Sequence, residues 1–206
     1  VLDFLHRPGN VHDAHGAQAF ILACIDAVRA VAPQARLEVR MDSAFFSDEI
    51  IEALVDRGVE FTVSVPFERF VELKSMIEQR RRWRRLNAES SYFEAAWKPR
   101  CWDSRFRFMF IRTKTKKQQK GPVQLDLFVP YDYGYDFKVM VTNKTISAKR
   151  VAAFHEGRGS QEGIFGELKS HCHQDYIPVR TKCGNQVYLL AGLFAHNLMR
   201  ELQMQT

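Results

Sequence analysis

The sequence has few cysteines and lacks long apolar runs, and both features exclude classes of protein. Four cysteines among 206 residues are too few for a disulfide scaffold, so we expect a reducing, cytoplasmic compartment. No run of about 18 apolar residues is present, so we expect no membrane-spanning segment. We also expect no secretory signal. Internal repeats and low-complexity tracts are absent as well.

What remains is the composition of a globular, moderately basic protein. Hydrophobic residues make up 46% and charged residues 26% of the chain, and the net charge is +6. A chain of this length can bury a sizeable core without metal or disulfide crosslinks. The excess of positive charge permits a polyanionic partner such as nucleic acid but does not require one.

Alternating elements in the first third of the chain predict an α/β fold. Residues 2–5 form an extended segment, and a helix follows from about residue 13 to residue 32. Apolar and polar residues alternate over residues 37–42, a helix is predicted from Ser47 to Arg57, and a second strand covers residues 61–65. Strands joined by a short helical connection are expected to be parallel.

The remainder of the chain predicts a β-rich region followed by helices. Strands are expected within residues 90–145, including one at residues 123–129, with polar turns between them. A helix is predicted over residues 147–172, with an interruption near residues 157–159. The last helix carries Val187, Leu190, Phe194 and Leu198 on one side.

Asp42 is the first candidate for a functional residue. It ends an apolar strand in an α/β layer, and active sites of open α/β sheets gather at the carboxyl ends of strands. The alternative is that Asp42 caps the turn into the next helix.

Glu162 is the second candidate, together with two cations. Arg158, Glu162 and Lys169 stand at positions i, i+4 and i+11, which fall close to one face of a helix. A carboxylate can hold a metal ion beside a phosphate that arginine and lysine bind. The alternative is an ordinary solvated ion-pair face.

Two motifs resemble those of bacterial insertion-sequence transposases of the DDE type. The strand within residues 39–46 ends in Asp, followed by a small residue and then an aromatic one, as in the family's second-acid motif. The later segment is similar to the signature of one large branch: Tyr, two residues, Arg, three residues, Glu, six residues, Lys. Arg158, Glu162 and Lys169 match these gaps, whereas His155 stands at the Tyr position.

The resemblance implies an RNase H-like core in which Asp, Asp and Glu hold two divalent cations, Mg²⁺ or Mn²⁺. It implies that Asp42 and Glu162 bind metal, that Arg158, Lys169 and more weakly His155 bind DNA, and that the protein acts as a homo-oligomer in the bacterial cytoplasm. The expected parts are an incomplete core over residues 1–80, a β-rich insertion over residues 81–145 before the helix with the last acid, and completing helices over residues 146–206.

The family's first acid has no assigned counterpart. Asp3 is the only early Asp on an extended segment, and its order along the chain does not fit the first core strand. We therefore expect the first Asp to lie upstream of Val1, and the chain to be a C-terminal fragment that is inactive alone.

A run of arginines is the third candidate. Arg81, Arg82, Arg84 and Arg85 flank Trp83, which predicts a phosphate-binding patch with a ring that could stack on a base. The alternative is a solvated helix end.

Two other functions remain open. A non-catalytic DNA-binding or assembly module could use the same fold, and an RNase H-like nuclease of another family would share the core. The β-rich insertion and the Arg-Glu-Lys spacing argue against the nuclease.

Overall fold

A computed structural model describes residues 1–6, 14–115, 134–157 and 160–205, and for residues 160–162 only the backbone. The helices are α1 Ala17–Val31, α2 Asp48–Asp56, α3 Val71–Gln79, α4 Ala148–Glu156, α5 Ser160–Cys172 and α6 Lys182–Gln205. The strands are β1 Glu38–Met41, β2 Glu60–Val65, β3 Arg84–Arg85, β4 Ser90–Trp97, β5 Phe106–Lys114 and β6 Tyr135–Thr142. The predicted mixed α/β architecture is confirmed, including the interruption between α4 and α5.

The chain forms two compact units. The sheet unit covers residues 36–155 and contains every described strand, and the helical unit combines residues 1–35 with residues 156–206. The strands after residue 81 continue the sheet begun by β1 and β2. The three parts expected from the sequence stay a prediction.

The six strands of the sheet lie in the order β1-β2-β6-β5-β4-β3. β1 and β2 are parallel, with Met41 opposite Val63, as the short helical connection predicts. The other pairs are antiparallel. β6 pairs with both β2 and β5 and so joins the β1–β2 pair to the strands β5, β4 and β3. The strand predicted at residues 123–129 lies outside the described residues.

Side-chain alternation gives the sheet two different faces. One face is aromatic: Phe93 stacks on Phe110 with ring centroids 4.3 Å apart, and Phe46 lies 4.8 Å from Trp102. On the opposite face, α4 packs against alternate residues of β5 and β6, and residues of all three elements form one apolar cluster. The cluster contains Met109, Ile111, Met140, Ala148, Val151 and Ala152. Successive side chains of a strand point to opposite faces, so one sheet supports both layers.

The amino-terminal segment is attached to α6. The Gln186 amide donates to the Phe4 carbonyl and accepts from the His6 N–H, and Asn197 bonds the backbone of Val1. Residues 1–6 belong to no helix or strand and pair with no described strand. Side-chain amides take the place of strand partners.

The apolar side of α6 is exposed. Val187, Leu190, Phe194 and Leu198 lie on the surface, whereas Leu193 and His196 are buried. The hydrophobic period predicts the helix correctly but does not determine which side is covered. No helix among the described residues combines the length and apolar character needed to cross a membrane.

A buried lysine joins the amino ends of β1 and β2. The Lys144 ammonium is completely inaccessible and is paired with Glu38 and with Glu60, whose Oε2 lies 2.6 Å from Nζ. Arg36, which is exposed, binds the other oxygen of Glu60, with Nη2 2.7 Å from Oε1. A buried charge of this kind is tolerated only when it is paired, so this ion cluster fixes β1 against β2.

Replacing Lys144 by methionine should lower the free energy of unfolding by about 2–4 kcal/mol, because two carboxylates lose their buried partner. Arg36→Met is the matched control, since an exposed ion pair contributes only about 0–1 kcal/mol. Urea denaturation of both variants checks the difference. Equal losses in the two variants would contradict the structural role of Lys144.

Stability should fall in acid because of Glu60. The hydrogen bonds from Arg36 and then from Lys144 hold the pKa of Glu60 below its ordinary value of 4.5. A carboxyl group whose pKa is lowered on folding stabilises the protein above its unfolded pKa, and this contribution is lost as the pH falls through the folded pKa. Urea midpoints measured from about pH 7 to pH 3 should therefore decline less steeply for Glu60→Gln than for the wild type. Parallel declines would exclude Glu60 as the cause.

Candidate functional site

Asp42 lies directly after β1, at the carboxyl end of the parallel β1–β2 pair. Its side chain is exposed, and Oδ1 accepts a hydrogen bond from the Ala44 N–H at 3.0 Å. Asp42 thereby caps the short 3₁₀ turn Ser43–Phe45, so the capping role is confirmed. The cap orients the carboxylate at the end of the sheet where ligands of α/β proteins bind.

Glu162 and Lys169 lie in one helix. Both belong to α5, seven residues apart, which corresponds to about two turns. Lys169 is exposed near the end of α5, Arg158 lies outside the described residues, and the side chain of Glu162 is not described. Asp42 belongs to the sheet unit and Glu162 to the helical unit.

His155 is buried in the sheet unit rather than exposed. Only 3% of its surface is accessible. Nε2 lies 2.9 Å from Ser64 Oγ, and Nδ1 lies 3.0 Å from Thr62 Oγ1. With both ring nitrogens bonded to β2, this environment favours a structural role over the DNA contact predicted from the sequence.

The arginine run follows α3 and ends on an edge strand. α3 ends at Gln79, and β3 pairs only with β4 among the described strands, with Arg84 opposite Tyr92. The four arginines predicted to bind DNA are all exposed, namely Arg81, Arg82, Arg84 and Arg85. The run is therefore extended surface chain and not the helix end of the alternative interpretation.

Trp83 is occupied by partners within the sheet unit. The Arg112 guanidinium lies 4.6 Å from the centre of the Trp83 ring, and Phe93 meets the ring edge-to-face at 4.8 Å. The indole N–H donates to the Arg80 carbonyl. Trp83 therefore packs the arginine run onto the aromatic face.

The described side chains include no group of three or more His, Cys, Asp or Glu that could hold a metal ion. The side chain of Glu162 is not among those described. Asp42 by itself fits such a role in donor type, since exposed carboxylate oxygen is the ligand that hard divalent cations prefer. One carboxylate supplies part of a site, and further ligands are needed to complete it.

Sequence reasoning missed the polar contacts around the carboxyl end of β2. Thr62 is completely buried in a strand that is otherwise largely apolar, and Ser64 lies two residues further on. Arg40 donates to the Phe154 carbonyl at 2.9 Å. Hydroxyl residues at alternate positions of an apolar strand are the signal that could have revealed a buried polar partner.

Comparison with protein families gives a match over the whole chain. The family model described as Transposase DDE domain group 1 matches residues 1–206. A search of curated proteins and a search of solved structures each found no match. Because the family model covers the full length, the chain belongs to the transposase DDE domain family.

Proposed function

We propose that this chain supplies Asp42 and Glu162 to a DDE transposase that cuts and joins DNA at transposon ends by metal-dependent phosphoryl transfer. The observation that carries the proposal is the family match over residues 1–206. The position of Asp42 at the carboxyl end of the parallel β1–β2 pair supports it, since this is where α/β sheets place their active sites. We further propose that the core is RNase H-like, with β1 and β2 among its strands.

Each candidate residue has a proposed role. Asp42 and Glu162 would hold Mg²⁺ or Mn²⁺ through carboxylate oxygens, and the third acid is unassigned. Bound divalent ions would stabilise the attacking and leaving oxygens of the phosphoryl transfer. Arg158 and Lys169 would position phosphates of the DNA, and their positive charge suits that task.

The arginine run would extend the DNA contact within the sheet unit. Four exposed arginines along a surface segment can bind the phosphate backbone of DNA. Such binding does not depend on the base sequence. The partner is therefore DNA, comprising transposon ends and target. A homo-oligomer and a bacterial cytoplasmic location are part of the same proposal.

Metal binding tests the carboxylates directly. Calorimetric titration with Mn²⁺ should show a binding site in the wild type. Asp42→Asn and Glu162→Gln should each lower the Mn²⁺ affinity by more than about tenfold, because the loss of a group that only hydrogen-bonds a metal ligand already costs about that much. Asp56→Asn removes an exposed carboxylate of α2 and serves as the control, with unchanged affinity. Equal affinities in all four proteins would refute the assignment.

Strand cleavage separates the catalytic proposal from a DNA-binding module. We propose that the chain by itself does not cleave DNA, because two carboxylates do not complete a three-acid site. Mg²⁺-dependent nicking of a plasmid should therefore be absent in the wild type and appear only when the missing Asp is supplied by an added segment. Nicking by the chain alone that Glu162→Gln abolishes would contradict the inactivity and support the role of Glu162.

Salt dependence tests the arginine run. A variant with the four arginines Arg81, Arg82, Arg84 and Arg85 replaced by alanine should bind duplex DNA with a flatter dependence of log K on log salt. The slope should fall by about 0.9 for each phosphate that the variant no longer neutralises. The control is Arg180→Ala/Lys182→Ala, which removes two exposed cations elsewhere. An unchanged slope in the fourfold variant would exclude the run from the interface.

A further inference from the structure

We infer that His155 is a positioning residue, which ties the last turn of α4 to β2 beside Asp42 and so holds the Asp42 segment in place. The inference rests on the proposed function in one respect, namely that Asp42 is the functional residue whose position His155 maintains. It gives His155 a role different from the DNA contact expected at the Tyr position of the family signature.

The two hydrogen bonds of His155 fix its ring in two directions. Nδ1 meets Thr62 Oγ1 at 3.0 Å and Nε2 meets Ser64 Oγ at 2.9 Å, and both hydroxyl groups belong to β2. Thr62 is fully buried and His155 nearly so. Buried polar groups are costly without partners, and here each group satisfies another. The pairs therefore hold α4 at a single register along β2.

That register coincides with the position of Asp42. Met41, the last residue of β1, lies opposite Val63, and the next residues along the two strands are Asp42 and Ser64. Ser64, which is hydrogen-bonded to the His155 ring, therefore lies at the same level of the sheet as Asp42, where the chain turns after β1.

A second link ties the same turn of α4 to β1. Arg40, two residues before Asp42, donates to the Phe154 carbonyl at 2.9 Å, and its guanidinium lies 4.9 Å from the centre of the Phe154 ring. Consecutive residues of α4 therefore contact β1 and β2 separately. Two attachments on neighbouring strands restrict both the sliding and the rotation of the helix end.

An apolar residue would fill the same space without this directional restraint. Hydrophobic contacts are not directional, whereas hydrogen bonds to two hydroxyl groups require one ring orientation. The chain leaves the sheet unit directly after His155 and reaches Glu162 seven residues later. The restraint on α4 therefore lies at the last residue of the sheet unit, seven positions before the second proposed carboxylate in the sequence.

Two conservative substitutions separate positioning from simple packing. The amide of glutamine can occupy the position of Nε2 and keep the bond to Ser64, whereas the amide of asparagine can occupy that of Nδ1 and keep the bond to Thr62. Hydrogen exchange of the full chain, read in residues 40–46 and 152–157, should accelerate about fivefold in His155→Asn, the change that loss of one hydrogen bond produces. His155→Gln loses the bond to Thr62 instead and keeps the bond to Ser64, which lies at the level of Asp42, so exchange at residues 40–46 should stay close to the wild type.

Val151→Ala is the control, because it removes buried apolar contacts of α4 without touching the hydroxyl pair. It should lower global stability without a selective change at residues 40–46. Equal exchange at these residues in the Gln and Asn variants, or a selective change there in Val151→Ala, would overturn the inference. So would a loss of DNA affinity in His155→Asn with unchanged exchange, which would indicate direct contact with DNA.

The same proteins keep this inference separate from the proposed function. If exchange follows the predicted pattern while Asp42→Asn leaves Mn²⁺ affinity unchanged, positioning stands and the metal role of Asp42 fails. If Asp42→Asn weakens Mn²⁺ binding while the Gln and Asn variants exchange alike, the metal role stands and the positioning role of His155 fails.

Discussion

The parallel pairing of β1 with β2 is the constraint on which the candidate site depends. It places Asp42 one residue beyond the Met41–Val63 pair and brings the hydroxyl groups of β2 to the same end of the sheet. At the opposite end, Lys144 binds the first residues of both strands, Glu38 and Glu60. The two strands are therefore held at their amino ends by charge, and the carboxyl ends carry the polar groups of the site.

The two faces of the sheet divide the work of packing and of positioning. On the aromatic face, Trp83 contacts both Arg112 and Phe93. These contacts attach the arginine run to the sheet. The opposite face receives α4, whose last turn meets the hydroxyl groups of β2 through His155. Alternate side chains of the same strands thus contact two different layers.

Local elements could be predicted from the sequence more completely than their arrangement. Alternation predicted β1 and β2, and the glycines near residue 158 indicated the break between α4 and α5. The partner of β6 could not be predicted, because strand pairing between distant segments leaves little local signal. The exposure of the apolar stripe of α6 and the burial of His155 could not be predicted either, since periodicity identifies one side of a helix and not what covers it. The strand end at Asp42 could be predicted because it is a local feature, whereas the metal-binding role of Asp42 stays a prediction.

Crystallography with Mn²⁺, using the anomalous signal of the metal, would show whether Asp42 and Glu162 bind the same metal site. Catalytic metal pairs lie about 3.5–4 Å apart with oxygen ligands roughly 2 Å away, so carboxylates that share them approach within roughly 8 Å. If both residues bind the catalytic metal, an anomalous peak should lie within bonding distance of the Asp42 and Glu162 carboxylates. Manganese bound without either carboxylate, or the two carboxylates far apart in an ordered structure, would contradict it.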